Sequence, residues 1–252
     1  MTAALEFDRL GVRLAGRVVL TEISFAVQPG EIMGVLGANG SGKTTLLRAA
    51  LGLVGLADGE ARLGGRPVRT LSASQRAALA GYLPQNPPVG WNMPALDIAA
   101  LGGANLASDE ARRRARLELA EVGLGDLADR GVLDMSGGER ARVLIARLLV
   151  TGAPLLVADE PAAGLDPNAQ FRVMEMFAAR AASGVAVLLS LHDLTLAARG
   201  CDRLAVLSEG RLVAVGRPKD ALTPQVLGDA FGLDGALIDS PSGTVVAARR
   251  RA

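Results

Sequence analysis

Residues 37–44 read Gly-Ala-Asn-Gly-Ser-Gly-Lys-Thr, a stretch that fits the pattern G-x-x-x-x-G-K-[ST]. It follows Ile32–Leu36, an apolar run typical of a buried strand, and it precedes a helix expected from about Lys43 to Leu53. Glycines let such a loop curl so that several backbone N–H groups converge on one phosphate, and the helix N-terminus adds positive potential. The stretch therefore predicts a phosphate-binding loop, the alternative being an ordinary glycine-rich turn.

The residue types of this loop also favour a nucleotide with its metal ion. We expect Lys43 to supply positive charge for the outer phosphates, and the Thr44 hydroxyl to bind Mg²⁺, which prefers oxygen ligands. The candidate nucleotide-binding residues here are Gly37, Ala38, Asn39, Gly40, Ser41, Gly42, Lys43, Thr44 and Thr45.

A pair of carboxylates follows a second apolar run. Leu155–Ala158 leads directly into Asp159 and Glu160, and unpaired charge at the end of a buried strand is costly. A nucleotide site supplies a reason for both residues. Asp159 would hold Mg²⁺, and Glu160 would polarise the attacking water as a general base. The alternative is a strand end that reaches solvent.

Strands alternate with helices from Pro154 onward, which predicts an α/β fold with a parallel sheet covered on both faces. The expected elements there are a strand at Leu155–Ala158, a helix at Asn168–Ser183 capped by Asp166, a strand at Val185–Ser190, a helix at Leu194–Arg199, and a hairpin of Leu204–Leu207 with Leu212–Val215.

The first half of the chain has two different patterns. Short strands are expected at Leu5–Leu10, Val18–Leu20, Ile23–Val27 and Ala61–Leu63, then a capping box at Ser72 and Gln75, a strand at Tyr82–Gln85 and a Pro-rich loop at Asn86–Pro94. The stretch from Ala95 to Thr151 is rich in Ala, Leu and Arg, with Ser108 as a plausible N-cap and Gly123 as a plausible helix stop. This helical stretch looks like an insertion into the α/β pattern.

Composition excludes some classes of protein. The chain has 252 residues, a net charge of +1 and a mean hydropathy of +0.30, so it has material for a core but no strongly basic balance for coating nucleic acid. Its one cysteine, Cys201, suits a reducing compartment. We see no secretory signal and no run of roughly 18 apolar residues that would span a bilayer. The basic run Arg249–Arg251 is expected to be a frayed terminus.

Further motifs resemble those of the ABC ATPases. Met135–Glu139 reads Met-Ser-Gly-Gly-Glu and resembles the LSGGQ-type signature, just before the acidic strand as in that family. Gln85 matches the family's Q-loop, Pro161–Asp166 looks like its D-loop, and His192, the only histidine, matches its switch histidine. These motifs occur in family order and span Gly37 to His192, so the resemblance covers essentially the whole chain.

The resemblance implies a P-loop nucleotide hydrolase fold, with a RecA-like parallel sheet core, an N-terminal antiparallel β sub-domain and an inserted helical sub-domain. It implies one ABC ATPase domain over residues 1–252, with the core and β sub-domain at 1–85 and 154–252 and the helical sub-domain at 86–153. ATP and Mg²⁺ are the implied cofactors. Glu160, His192 and Gln85 are the expected catalytic residues, and Thr44, Gln85 and Asp159 the expected metal-binding residues.

Ser136-Gly137-Gly138 at a helix start offers backbone N–H groups, a hydroxyl and a helix dipole, which together make a second anion site. The alternative is an ordinary glycine-rich helix cap. Because one ATP has one γ-phosphate, a second such site favours use on a partner's ATP. The resemblance implies a head-to-tail dimer in which Ser136, Gly137, Gly138, Glu139 and Asp166 join the nucleotide site of the second copy.

The stretch from Pro87 to Pro94 with Trp91, then Ala100–Gly102 and later Leu191–Ala198, resembles the iron-chelate, haem and cobalamin importer ATPases. This implies a separate transmembrane permease, indirectly a substrate-binding protein, and a place at the cytoplasmic face of the inner membrane. Trp91 is either a contact with that permease or a core aromatic. An exporter ATPase is the alternative function, and an ABC protein acting on DNA or ribosomes ranks below both.

Two positions depart from the family pattern, and one segment has no readable task. The family often places an adenine-stacking aromatic near position 14, where this chain has Leu14 between Arg13 and Arg17. Met135 and Glu139 replace the usual leucine and glutamine of the signature, and both exchanges are mild. The segment from Leu233 to Ala252 points to no function.

Overall fold

A computed structural model describes residues 2–85, 87, 90–241 and 243–251. The strands are β1 (Leu5–Leu14), β2 (Arg17–Val27), β3 (Ile32–Gly37), β4 (Asp58–Leu63), β5 (Arg66–Pro67), β6 (Ala80–Leu83), β7 (Leu155–Asp159), β8 (Ala186–Ser190), β9 (Arg203–Ser208), β10 (Arg211–Gly216), β11 (Leu233–Ser240) and β12 (Gly243–Arg250). The helices are α1 (Lys43–Ala50), α2 (Ala73–Leu79), α3 (Ala95–Ala100), α4 (Ser108–Glu121), α5 (Gly137–Val150), α6 (Pro167–Ala182), α7 (Leu194–Gly200), α8 (Pro218–Ala221) and α9 (Pro224–Phe231).

A six-stranded sheet forms the centre of the molecule, in the order β10-β9-β3-β8-β7-β6. Strands β9, β3, β8, β7 and β6 are parallel to one another, and β10 pairs antiparallel with β9 at one edge. The five residues of β7 and of β8 are all buried, as expected for strands covered on both faces. The predicted α/β fold with a parallel sheet is confirmed.

A second, antiparallel sheet comes from the N-terminal part, in the order β2-β1-β4-β5. Its apolar face packs with α1 and one face of the central sheet in a single buried cluster that includes Phe7, Ile23, Leu46, Val157 and Leu188. The predicted antiparallel β sub-domain is therefore present, and α1 lies between the two sheets.

Helices α3, α4 and α5 pack on one another and share a second buried cluster with the other face of the central sheet. The predicted helical stretch is confirmed as a unit inserted between β6 and β7. The predicted loop Asn86–Pro94 contains Asn86, Pro88 and Val89, which lie outside the described residues.

Several predicted boundaries were wrong by a few residues. Helix α1 ends at Ala50 and not at Leu53, because Gly52 adopts φ +64° and reverses the chain. The strand expected at Tyr82–Gln85 is β6, which ends before Pro84, a residue with no N–H for the sheet. Ser108 is the first helical residue of α4, and no side chain caps that helix. The capping box at Ser72 and the helix cap at Asp166 are confirmed.

The C-terminal segment is ordered, contrary to the expectation of a frayed end. Strands β11 and β12 pair over their whole length, from Leu233 opposite Arg250 to Ser240 opposite Gly243, and this hairpin packs on α9 and α7. Over the described part of the chain, we find no helix with the length and apolar character that crossing a bilayer requires.

Candidate nucleotide-binding site

The loop between β3 and α1 is built on glycines that no other residue could replace. Gly37 has φ +153°, and a Cβ there would lie 2.4 Å from the Leu207 carbonyl oxygen and from Ser41 Oγ. Gly42 has φ +104°, and a Cβ there would meet Leu20 Cδ2 at 2.6 Å. The Leu207 oxygen belongs to the backbone and cannot move aside, and both φ values lie in the region that favours glycine, so the loop reaches this shape with glycine at positions 37 and 42.

Lys43 lies at the start of α1 and is only 6% exposed. Its Nζ donates to the carbonyl oxygens of Gly37 at 2.9 Å and Ala38 at 3.3 Å. Burial lowers the pKa of Lys43, while the nearby charges of Glu160 and Asp159 act to raise it. The ammonium is thus held inside the loop by the loop's own carbonyls, in a position to meet an anion.

The other residues of the predicted loop line the same turn with different exposure. Ala38, Asn39 and Gly40 are exposed, Thr44 and Thr45 are half-buried, and Ser41 is buried. Ser41 Oγ has no hydrogen-bond partner among the described residues, although it is out of reach of solvent. A buried hydroxyl without a partner is rare and marks a place where a ligand or water completes the site.

Asp159 ends β7 beside this loop and is 1% exposed. Its Oδ1 accepts from Ser190 Oγ at 2.5 Å, whereas Oδ2 is buried without a partner in the part of the chain that the structure describes. A buried carboxylate oxygen with no donor is costly unless a cation or water is bound there.

Glu160 contacts two of the other predicted site residues, Gln85 and His192. Gln85 Nε2 donates to Glu160 Oε2 at 2.5 Å, and His192 Nε2 contacts the other carboxylate oxygen, Oε1. Glu160 has φ +54°, a conformation that an L residue adopts only at some cost in strain. The three residues come from the ends of three parallel strands, which meet at one edge of the sheet as ligand-binding residues do in open α/β folds.

Ser190 belongs to this cluster and was not predicted. Besides donating to the Asp159 carboxylate, its hydroxyl accepts from the backbone N–H of Glu160 at 2.9 Å, so one side chain is bonded to both acidic residues. The signal was present in the sequence, because Ser190 is the single hydroxyl-bearing residue of an otherwise apolar strand, β8. A completely buried polar residue at a strand end calls for a polar partner.

Ser136 caps α5 at the surface, and Asp166 caps α6. Ser136 N donates to Glu139 Oε2 at 2.8 Å, and Glu139 N donates to Ser136 Oγ at 3.2 Å. Hydrogen bonds from Ser136, chiefly from its backbone, lower the pKa of Glu139. These bonds stay within the cap, and within the described ranges no hydrogen bond joins Ser136 or Glu139 to the loop.

Leu14 lies at the end of β1, where it pairs with Arg17 across a turn of Ala15 and Gly16. It is exposed, and no aromatic side chain takes the place that the family often gives to one. Leu20, further along the same hairpin, is the residue that packs against Gly42. The part of this hairpin around Leu20 therefore lies beside the loop.

The parallel sheet, the glycine-rich loop with its lysine and the acidic pair define the class of P-loop nucleotide hydrolases. The profile of the ABC transporter family matches residues 20–163, and the chain belongs to that family. It is an ATP-binding subunit whose ATP hydrolysis is coupled to transport.

Curated relatives match almost the whole chain. One is the hemin import ATP-binding protein HmuV of Bordetella avium, 35% identical over 260 residues, which cover 98% of this chain and 99% of the relative. Another is the cobalamin import ATP-binding protein BtuD of Halobacterium salinarum, 37% identical over 232 residues, which cover 90% of this chain and 58% of the relative.

Solved structures share the fold. An ATP binding subunit of an ABC transporter is 29% identical with a TM-score of 0.76, covering 85% of this chain and 90% of that one. A metal-chelate type ABC transporter in an inward-facing conformation gives a TM-score of 0.85 and covers 98% of both chains. Its identity is 23%, so it shows the fold alone.

Proposed function

We propose that this chain is the ATPase subunit of an importer that moves haem, a metal chelate or a cobalamin-like substrate through a separate permease. The observation that carries the proposal is the full-length match to hemin import subunits, since it extends beyond the motifs that all ABC ATPases share. The match to a cobalamin import subunit supports the same group of substrates.

In this proposal the residues of the loop from Gly37 to Thr45 bind the phosphates of ATP. The support is the glycine-dependent curl of the backbone and the buried Lys43, whose Nζ can exchange its carbonyl partners for phosphate oxygens. The dipole of α1 adds positive potential at the same point.

The residues present also fit Mg²⁺. Thr44, Asp159 and Gln85 would hold the ion together with phosphate oxygens, and the unpartnered Oδ2 of Asp159 is the oxygen that such a cation would use. When bound, Mg²⁺ would neutralise charge on the phosphates. Ser190 would keep the other carboxylate oxygen of Asp159 in place.

Glu160 is the proposed general base for the attacking water, assisted by Gln85 and His192. Both partners contact its carboxylate, so they would hold it in one orientation while it accepts the proton. His192 is also the proposed contact to the γ-phosphate. The exposure of its side chain leaves it free to reach a ligand.

The proposed active form is a head-to-tail pair of copies. In it, the α5 tip with Ser136, Gly137, Gly138 and Glu139, and the α6 cap Asp166, would face the nucleotide on the loop of the other copy. Support comes from the exposure of Ser136, Gly137 and Asp166 at the surface of a single chain. A helix N-terminus of this kind binds anions through its free N–H groups.

The proposed permease contact is the face of the helical sub-domain beside Gln85. Trp91 is 77% exposed, so its interpretation as a core aromatic does not hold and a contact role is favoured. A groove of about 420 Å³ is lined by Pro84 and Pro87, which flank Gln85 in the chain, by exposed Leu101 and by residues of β6 and α5. The chain would then work at the cytoplasmic face of the inner membrane, served indirectly by a substrate-binding protein.

For this division of labour we retain the proposed boundaries, with the core and β sub-domain at 1–85 and 154–252 and the helical sub-domain at 86–153. Gln85 is the last residue of the core before the helical sub-domain begins, and its side chain bonds to Glu160. A movement of the permease-facing part that displaces Gln85 would therefore change the position of Glu160, the proposed base.

The test is uptake by the cell that makes this chain, after its gene is removed. Uptake of labelled haem, ferric chelate and cobalamin is measured with the wild-type chain restored or with Glu160→Gln restored. We expect uptake of one of the three to be lost, and to return only with the wild type. Normal uptake of all three in the deletion strain would contradict the importer proposal.

A further inference from the structure

The C-terminal hairpin β11–β12 packs on the helix that begins directly after His192. That helix, α7, has seven residues, and the Asp193 side chain caps its N-terminus by accepting from Leu196 N at 2.9 Å. A helix of about two turns is too short to be stable on its own hydrogen bonds. The position of α7, and that of His192 just before its N-cap, must therefore come from what packs against the helix.

Two side chains on one face of α7 are bonded to the backbone of β12. Thr195 Oγ1 accepts from Val246 N at 3.1 Å, and Arg199 Nε donates to the carbonyl oxygen of Thr244 at 2.7 Å. Positions 195 and 199 are four residues apart, so they lie on the same side of the helix. Strand β12 is therefore hydrogen-bonded to α7 near both ends of the helix.

Apolar packing runs alongside these bonds. Leu237 and Val246 of the hairpin are partly buried against the same core cluster that Leu194 and Ala198 of α7 join. The hairpin is thus attached to the body of the protein through α7 as well as through α9.

Arg199 has a second contact, which extends the link to another site element. Its guanidinium lies over the ring of Phe171, 5.9 Å from the ring centroid. Phe171 belongs to α6, the helix capped by Asp166. One arginine consequently connects the hairpin, the helix after His192 and the helix after Asp166.

We propose that the hairpin β11–β12 positions His192 beside Glu160 by fixing α7 through Thr195 and Arg199. Neither of these two residues reaches the nucleotide in this role, so both are positioning residues. The inference rests on the proposed catalytic role of His192. The segment that pointed to no function in the sequence thereby acquires one.

The test compares turnover with nucleotide affinity in the full-length chain. Thr195→Val keeps the shape of the side chain but removes the hydroxyl that accepts from Val246. We expect kcat to fall about tenfold, short of the roughly hundredfold that a 1 Å misplacement can cost, with KM for MgATP unchanged. Thr195→Ser keeps a hydroxyl and is expected to restore most of the turnover.

Arg249→Ala is the matched control. It removes an exposed ion pair with Asp234 inside the hairpin, on residues with no bond to α7. We expect wild-type kcat for this variant. Arg199→Gln is measured alongside, so that the inference stays testable if Thr195→Val does not fold.

The same substitutions in a His192→Ala background separate the possible causes. If Thr195 acts through His192, Thr195→Val changes the residual turnover by less than about twofold there. A tenfold loss in both backgrounds, or wild-type kcat for both Thr195→Val and Arg199→Gln, would overturn the inference. Wild-type turnover of His192→Ala alone would instead refute the proposed role of His192.

Discussion

Two glycine-rich helix starts in this chain look alike in sequence and differ in structure. The loop before α1 encloses its own cation, Lys43, and leaves Ser41 Oγ buried without a partner among the described residues. The start of α5 is exposed, and Ser136 and Glu139 satisfy each other in a closed capping box. The first is incomplete without a ligand, whereas the second is complete as a helix cap.

This difference suggests that the loop before α1 serves nucleotide binding and that the start of α5 serves hydrolysis. A loop with an unsatisfied interior and a buried cation is ready to bind a nucleotide within one chain. A helix tip whose capping box is already closed has no such need, and the N–H groups outside the box can serve an anion that arrives on another copy. Loss of the first should therefore weaken nucleotide binding, and loss of the second should spare binding and stop hydrolysis.

The largest effect is expected from Glu160→Gln, which acts on neither helix start. Loss of a general base should lower turnover about 10²- to 10⁴-fold while ATP still binds, and should trap the nucleotide-bound pair of copies. Phosphate release and light scattering with MgATP measure both effects. Glu175→Gln, on the exposed side of α6, is the control and should behave as wild type. Normal turnover of Glu160→Gln would refute the base assignment.

Ser136→Arg tests the second helix start. The long cation should block the approach of another copy's nucleotide, lowering hydrolysis about 10²-fold with nucleotide affinity of the monomer unchanged. The matched control is Ser72→Arg, because Ser72 and Gln75 form the same exposed capping box on α2. Both variants lose a cap worth about 1 kcal/mol, so equal loss of hydrolysis in the two would mean a folding defect only.

Lys43→Ala tests the first helix start. Removing a buried charge-assisted contact should weaken ATP binding about 10- to 100-fold, as measured by titration with a fluorescent nucleotide. The chain's other lysine, Lys219, is exposed on α8 and provides the control Lys219→Ala. Unchanged affinity in Lys43→Ala would contradict the proposal that this loop binds phosphate. It would also remove the contrast between the two helix starts.

The fold class could be predicted from the sequence because it follows from local rules. Strand and helix alternation implies a parallel sheet, and the carboxyl ends of parallel strands meet at one edge. The resemblance to the ABC ATPases assigned Gln85, Glu160 and His192 to one catalytic set, and the structure has Gln85 and His192 in contact with Glu160. Their chemical roles stay predictions.

Other features were not predicted, because the contacts that define them are long-range. Ser190 was overlooked since its partners, Asp159 and Glu160, are about 30 residues away in the chain. The C-terminal hairpin has weak strand signals, with glycines and charged residues in both strands, and it is ordered by packing on α7 and α9. Neither kind of contact leaves a periodic pattern in one sequence.

The smallest effect is expected on thermal stability, at Glu139. Hydrogen bonds from Ser136 lower the pKa of Glu139, so the ionised carboxylate is favoured in the folded state. Its contribution is fully present above the unfolded pKa and is lost as pH falls through the lowered folded pKa. The difference in Tm between wild type and Glu139→Gln should therefore shrink between pH 7 and about pH 3.

The control is Gln75→Ala, which removes the uncharged residue at the same position of the α2 capping box. The difference in Tm between wild type and this variant should not follow the ionisation of Glu139. Equal pH dependence of the two differences would show that the charge of Glu139 has no part in the cap, and that the two boxes are alike.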